Sequence, residues 1–323
     1  WLELGRGALL EGIGLSEWIC GTRGGTADHG AMFYAERDSL VRVGALPTRN
    51  LGLAPMPPDY AAVVFHSGVE RVYDNVRQQE TAAAYPLSLF LIRHLILPRL
   101  QNDPAFSELP LNAPRAIDNL GDLVAGLRLE AIYAMLRRIP RETTLGQIEG
   151  WACEAGVYSA FHNFVDEEIR SPYPELGGDT PLYLRRRALF GMAENDRVIK
   201  SFALLRQGEI NQVLDFIRRS HRGEGDDDLT NEEIEELIVL SRRGSAASHL
   251  CYRLGGYGRM TPEYDRVTVG ANEFLNRFGG DNAGAVQRLG AGWGGSIGGL
   301  VQRSAVAGLR GYLEEEAGLP IPA

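Results

Sequence analysis

Asp28 and His29 stand at the end of a run of turn-forming residues, Gly21-Thr22-Arg23-Gly24-Gly25-Thr26-Ala27-Asp28-His29-Gly30. A carboxylate beside backbone free to close around a small polar substrate can accept a hydroxyl proton, or hold and polarise that hydroxyl while it attacks. The same aspartate also suits an Asx-turn that satisfies local N–H groups, and His29 alone suits a structural hydrogen bond. A second concentration lies near the other end, Gly290-Ala291-Gly292-Trp293-Gly294-Gly295-Ser296-Ile297-Gly298-Gly299. Glycine lets successive N–H groups point into one concavity and lets the chain approach a ligand closely, as an anion nest requires. Turns and bulges of a hairpin use glycine equally well. With 39 glycines in 323 residues, the chain exceeds the usual share of roughly 7%.

Other chemistries are excluded by what is missing. Lys200 is the only lysine, so no Gly-Lys pair exists to build a Walker-A loop. Neither a His-Arg-Asp catalytic loop nor an Asp-Phe-Gly follows it, as a protein kinase requires, and imine chemistry would rest on that one residue. The net charge of −9 argues against a nucleic-acid surface, which needs a basic stripe, and favours small-molecule chemistry. Cys20, Cys153 and Cys251 are odd in number and far apart, which fits a reducing, cytoplasmic setting and no metal knuckle. The most apolar run, Tyr85 to Leu100, is interrupted by Arg93 and His94 and falls short of the roughly 18–20 residues of a membrane span. It reads as core, and no membrane partner is expected. The acidic stretch Glu224 to Asp228 could suggest a divalent-cation site, but it reads as a solvated connector before a capping box of Thr230 and Glu233. Arg185-Arg186-Arg187 could attract phosphate, but within a long helix of an acidic protein it reads as an exposed face.

The length suggests two domains, or one large α/β unit with appendages. The chain starts at Trp1, and its first methionine is Met32, so it is expected to be the C-terminal portion of something longer. Residues 3–17 carry a helical stripe, and Ala31-Met32-Phe33-Tyr34-Ala35 with Ser39-Leu40-Val41-Arg42-Val43 read as a hairpin. Residues 60–66 form a short apolar strand. Helices follow over 72–100, 115–138, 144–168, 183–206, 208–220, 230–253 and 263–277, then strands 284–289 and 296–302 and a helix 303–316. Strands at both ends around a helical middle make an α+β protein.

Four segments in order give this chain its resemblance to the galactokinase-type members of the GHMP small-molecule kinases. Glu17 to His29 looks like the segment around the family's catalytic aspartate. Asn75-Val76-Arg77 is similar to the Tyr-Asn-x-Arg-Arg stretch that follows the equivalent strand. Ser220-His221 with Met260-Thr261-Pro262-Glu263-Tyr264-Asp265 looks like the Ser-His and Ser-x-Pro-Glu-Leu-Asp elements. Gly290 to Gly295 is similar to the family's Gly-Ala-Gly-Phe/Gly-Gly-Gly loop.

The resemblance implies a two-domain architecture. Residues 1–70 would be the remainder of a ribosomal-S5-like N-terminal domain, and 71–323 a helical region with a ferredoxin-like α+β C-terminal domain. It implies ATP-dependent phosphorylation of a monosaccharide, at the anomeric hydroxyl as in galactokinases, with Asp28 as catalytic aspartate. Gly25, His29, Tyr73, Asn75 and Arg77 would contact the sugar, Gly290, Ala291, Gly292, Gly294 and Gly295 the nucleotide, and Glu17 the Mg²⁺ ion. Phosphoryl transfer needs alignment and charge neutralisation more than covalent help. The family's sugar motif Gly-Arg-x-Asn-x-x-Gly-Glu-His-x-Asp and its serine-rich phosphate loop belong before Trp1, so this segment alone is not expected to turn over. Asp74 holds the position of the galactokinase tyrosine, with Tyr73 one place earlier, which leaves the sugar open. A non-catalytic sugar- and nucleotide-sensing homologue is the alternative.

Overall fold

A computed structural model describes residues 5–19, 26–44, 48–72, 74–101, 117–290 and 292–315. Two short helices, α1 (Arg6–Ile19) and α2 (Ala27–Tyr34), precede a hairpin of β1 (Ser39–Gly44) and β2 (Arg49–Pro55). The expected strand at Ala31–Ala35 is instead helix. Ala27, Ala31 and Met32 favour helix intrinsically, and Asp28 places its negative charge in the first turn, where the helix dipole favours it. The partner of β1 is β2, in antiparallel register from Ser39 opposite Pro55 to Gly44 opposite Arg49, with a bulge between Val41 and Val43.

Strand β3 (Tyr60–His66) leads to α3 (Asn75–Leu91), which continues through a π-helical turn at Ile92–Ile96 into α4 (Leu97–Gln101). The side chain of Asp74 caps α3 by accepting from the Arg77 N–H at 3.0 Å. The stretch Asn75–Leu100 is long and apolar enough to cross a membrane by composition, yet it is mostly buried within the protein. Leu87, Leu91, Ile92 and Leu95 belong to the largest hydrophobic core, as the sequence suggested.

The helical middle comprises α5 (Leu120–Gly126), α6 (Leu129–Arg138), α7 (Leu145–Glu154), α8 (Tyr158–Phe164), α9 (Leu184–Gln207), α10 (Ile210–Gly223) and α11 (Asn231–Arg242). Two expected long helices are broken at their turns, 115–138 at Leu127-Arg128 and 144–168 at Ala155 to Val157. The capping box of Thr230 and Glu233 starts α11 as read from the sequence. Helix α6 is buried from Glu130 to Leu136, with α11 packed along it.

The chain closes with α12 (Pro262–Gly279), β4 (Gly284–Arg288), β5 (Ser296–Gln302) and α13 (Arg303–Glu315). The sheet order is β3-β5-β4, antiparallel throughout, so strands from the two ends of the chain share one sheet. Alternation sends Val63, Phe65, Ile297 and Val301 toward Tyr264 and Leu275 of α12 and Leu309 of α13. Tyr60, Ala285 and Leu300 face Val213 and Leu214 of α10 and Phe202 of α9. Helices on both faces make this a three-layer α+β arrangement.

Candidate functional site

The β3–β5 register sets Ser296 opposite His66, which brings the chain leaving β3 alongside the glycine loop entering β5. Backbone bonds join them. Ser67 donates to the Gly295 carbonyl at 2.7 Å, and Gly295 donates to the Val69 carbonyl at 3.0 Å. On the other side Trp293 donates to the Arg259 carbonyl at 3.0 Å. The loop therefore bridges the approach to α3 and the approach to α12.

The glycines here answer to that packing. At Gly294, with φ +134°, a Cβ would lie 2.7 Å from the carbonyl oxygens of Val69 and Glu70. At Gly292, with φ +94°, it would lie 2.7 Å from the Arg259 Cβ. Any larger residue would have to push backbone apart. Two of the loop's N–H groups, those of Trp293 and Gly295, are already spent on carbonyls.

Beneath the loop lies a buried polar cluster. Arg288, at the end of β4, pairs with Glu224 at 2.6 Å, and both side chains are buried. Burial pushes the Glu224 carboxyl above the usual carboxylate range, and the Arg288 charge opposes that rise. The ring of Tyr257 stacks on Phe190 and lies under the guanidinium of Arg259 at 4.5 Å, with Arg288 at 5.5 Å. Backbone N–H groups of Tyr257, Gly258 and Arg259 donate to the carbonyls of Gly223 and Glu224, closing the end of α10. His221, one turn earlier on α10, meets Asp265 of α12 at 3.0 Å through Nε2. Burial holds His221 below the ordinary histidine value, although Asp265 works against the shift. Tyr264 donates its hydroxyl to the Ser296 carbonyl, tying α12 to β5. The Ser-His element, the Thr261–Asp265 element, the glycine loop and the approach to α3 thus meet in one region.

On the far side of α3 the arginines of α9 depart from expectation. Arg185 and Arg187 are buried rather than exposed. Arg185 donates to the carbonyls of Ile139 and Arg137 and to Asn231, closing the end of α6. Arg187 pairs with buried Glu80 of α3 at 2.8 Å. The acidic connector is likewise not simply solvated, since Asp226 meets Arg77 at 2.7 Å and Asp228 meets Arg141 at 2.9 Å.

Asn75 and Arg77 fall in the first turn of α3, beyond the segment bonded to the glycine loop, and Gly290, Gly292, Gly294 and Gly295 lie in that loop. Gly25, Tyr73 and Ala291 lie outside the described residues, as does the side chain of Glu17, whose backbone lies in the last turn of α1. Asp28 is exposed and His29 half-buried in the first turn of α2. Helix α2 rests on α1, β1 and β2, whereas the polar cluster rests on β4, β5, α10 and α12. Lys200 is committed to Asp196 and His249, with Nζ contacts of 2.9 and 2.5 Å. Cys153 and Cys251 are free thiols. Among the described residues no three His, Cys, Asp or Glu side chains gather as a metal cage.

Sequence reasoning did not single out Tyr257, Arg259 or Arg288, and it read Glu224 only as part of the acidic connector. One signal was available for Glu224, which follows His221 by three positions and so shares its helix face. No family model matches the chain, and no curated protein matches it.

Proposed function

We propose that the chain belongs to an ATP-dependent monosaccharide kinase of the galactokinase-like GHMP type. The observation that carries this reading is that two of the four segments behind the resemblance meet, beside the chain that leads into a third. The Ser220-His221 and Thr261–Asp265 pair and the glycine loop share one bonded region with residues 67–69, which precede Asn75-Val76-Arg77 in the chain. That convergence is what a site built on those segments requires.

In this reading Asp28 takes up the proton of the attacking sugar hydroxyl as its oxygen bonds to the transferred phosphoryl group. Gly25, His29, Tyr73, Asn75 and Arg77 orient the sugar, and Gly290, Ala291, Gly292, Gly294 and Gly295 shape the wall facing ATP. ATP would supply the phosphoryl group with ADP as the leaving group, and Mg²⁺ would neutralise the phosphate charge. A phosphate-bound Mg²⁺ needs only one or two protein carboxylates, so Glu17 can serve without a cage.

The test is ADP release by the full-length protein over a panel of hexoses and pentoses, with Asp28→Asn alongside. Loss of a positioned acid–base group typically costs 10²-fold or more, so the variant should fall at least about a hundredfold. Retention of more than about a tenth of wild-type activity would overturn the role of Asp28. Sugar binding without ADP release would favour the non-catalytic sensing homologue.

A further inference from the structure

Apart from Arg77, which the kinase reading gives to the sugar, the sites described so far leave unused a cluster of guanidinium groups at the start of α9. Three arginines from two helices close on the carboxylate of Asp226. Arg77 Nη2 lies 2.7 Å from Oδ2, while Arg186 Nη1 and Arg187 Nη1 lie 3.3 and 3.6 Å from Oδ1. Arg187 is almost wholly buried and oriented by Glu80, and Arg186 is largely buried, its guanidinium 3.9 Å from the Tyr183 ring centre. The Nε of Arg186 is buried and carries no hydrogen bond. Asp226 itself is half exposed.

This carboxylate stands between two open cavities. One, of about 330 Å³, is lined by Arg77, Thr180, Tyr183, Arg186, Arg187 and Asp226 among others. The other, of about 420 Å³, is lined by Arg141, Glu142, Tyr183, Arg186, Asp226 and Asp228 among others. Both share Tyr183, Arg186 and Asp226. Arg186 also donates to the backbone carbonyl of Asp226 at 3.1 Å. That backbone bond survives rotation of the Asp226 side chain, so the carboxylate can leave the arginines while the connector stays in place.

We infer that this arginine cluster is a binding site for a phosphate monoester, and that Asp226 occupies it as an internal competitor. The charge count supports the exchange. Glu80 is committed to Arg187 and Asp74 to the N–H of Arg77, so Arg77 and Arg186 are left for a ligand, with Arg187 behind them. Asp226 brings one negative charge, whereas a phosphate monoester brings about two and three equatorial acceptors that guanidinium forks engage bidentately. A half-exposed ion pair is weak enough to yield. The adjoining space, above the lower limit of roughly 300 Å³ for small-molecule pockets, can take the body of an ester as well as its phosphate.

The test is calorimetric titration of the whole chain with inorganic phosphate and, separately, with a hexose monophosphate. No turnover is read, so the outcome does not depend on the kinase reading. Asp226→Asn should bind inorganic phosphate about tenfold tighter than wild type, because the tax of a self-occupied site is removed. Adding Arg186→Gln or, on the exposed first turn of α3, Arg77→Gln should abolish that gain, with unchanged circular dichroism showing that each variant folds. A gain for both ligands assigns the guanidinium cluster to the phosphate group alone, and a larger gain for the hexose monophosphate also assigns the cavity to the sugar. Equal phosphate affinity in Asp226→Asn and wild type, or a gain that survives loss of both arginines, would overturn the assignment.

Discussion

Glu224 and Asp226 are two residues apart in one connector, each meets arginine, and they differ in solvent. Glu224 and Arg288 are both buried side chains paired across the space between α10 and β4. Asp226 is half exposed, and its nearest partner, Arg77, is more than a third exposed. A buried pair repays the cost of desolvation only while both members are present, whereas an exposed pair trades readily with water and dissolved ions. The first can hold the architecture beneath the glycine loop, and the second can give way to a ligand.

The sharpest way to break this contrast is Arg288→Ala. It leaves the Glu224 carboxylate buried without its partner and removes the more distant of two cations beside the Tyr257 ring. Losing one member of a buried pair typically costs about 3–5 kcal/mol, which urea denaturation should show as a lower midpoint. Arg288→Met, which leaves the same carboxylate unpaired but keeps much of the packing volume, should lose less. If Arg288→Ala cost under about 1 kcal/mol, the pair would be no more structural than the one at Asp226.

Next in size is a pH effect within the same cluster. Burial holds His221 below its ordinary value, so the unfolded chain takes up a proton at a pH where the folded protein does not. Stability should therefore rise with pH through this window and be lost as pH falls below about 6.5. Burial of Glu224 acts with the opposite sign, above the ordinary carboxylate range. The informative quantity is thus the difference between wild type and His221→Gln in denaturant midpoint at pH 5.5 and 7.5. The variant should lose less on acidification. An equal loss in both proteins would mean that His221 is not the group titrating.

How far the sequence carried follows the same division. The strands 60–66, 284–289 and 296–302 and the apolar helix after residue 72 were legible because period and length identify them locally. The shared sheet of β3 and β5 was not, because pairing across more than 200 residues leaves no local trace. Helix α2 was read as a strand because Met32, Phe33 and Tyr34 form an apolar run too short to separate helix from strand by pattern. Arg185 and Arg187 were read as surface because their partners, the carbonyls ending α6 and Glu80 of α3, are brought to them only by folding. The candidate site followed suit. Its glycine loop and the Ser220-His221 element stood out as motifs, while Arg288, Arg259 and Tyr257 acquire meaning only from what lies beside them.

The smallest expected effect is on the exposed side of the contrast. Arg77→Ala removes the closest partner of Asp226 but leaves the Asp74 cap, which uses the backbone N–H of residue 77 rather than its side chain. Arg186 and Arg187 still face the carboxylate. Exposed pairs contribute about 0–1 kcal/mol, so the denaturation midpoint should move little and the shift should shrink further as salt is raised. A loss of more than about 2 kcal/mol, insensitive to salt, would give Asp226 the same structural weight as Glu224. The distinction between a fixed pair and an exchangeable one would then fail, because a carboxylate held that firmly could not be displaced from the guanidinium cluster.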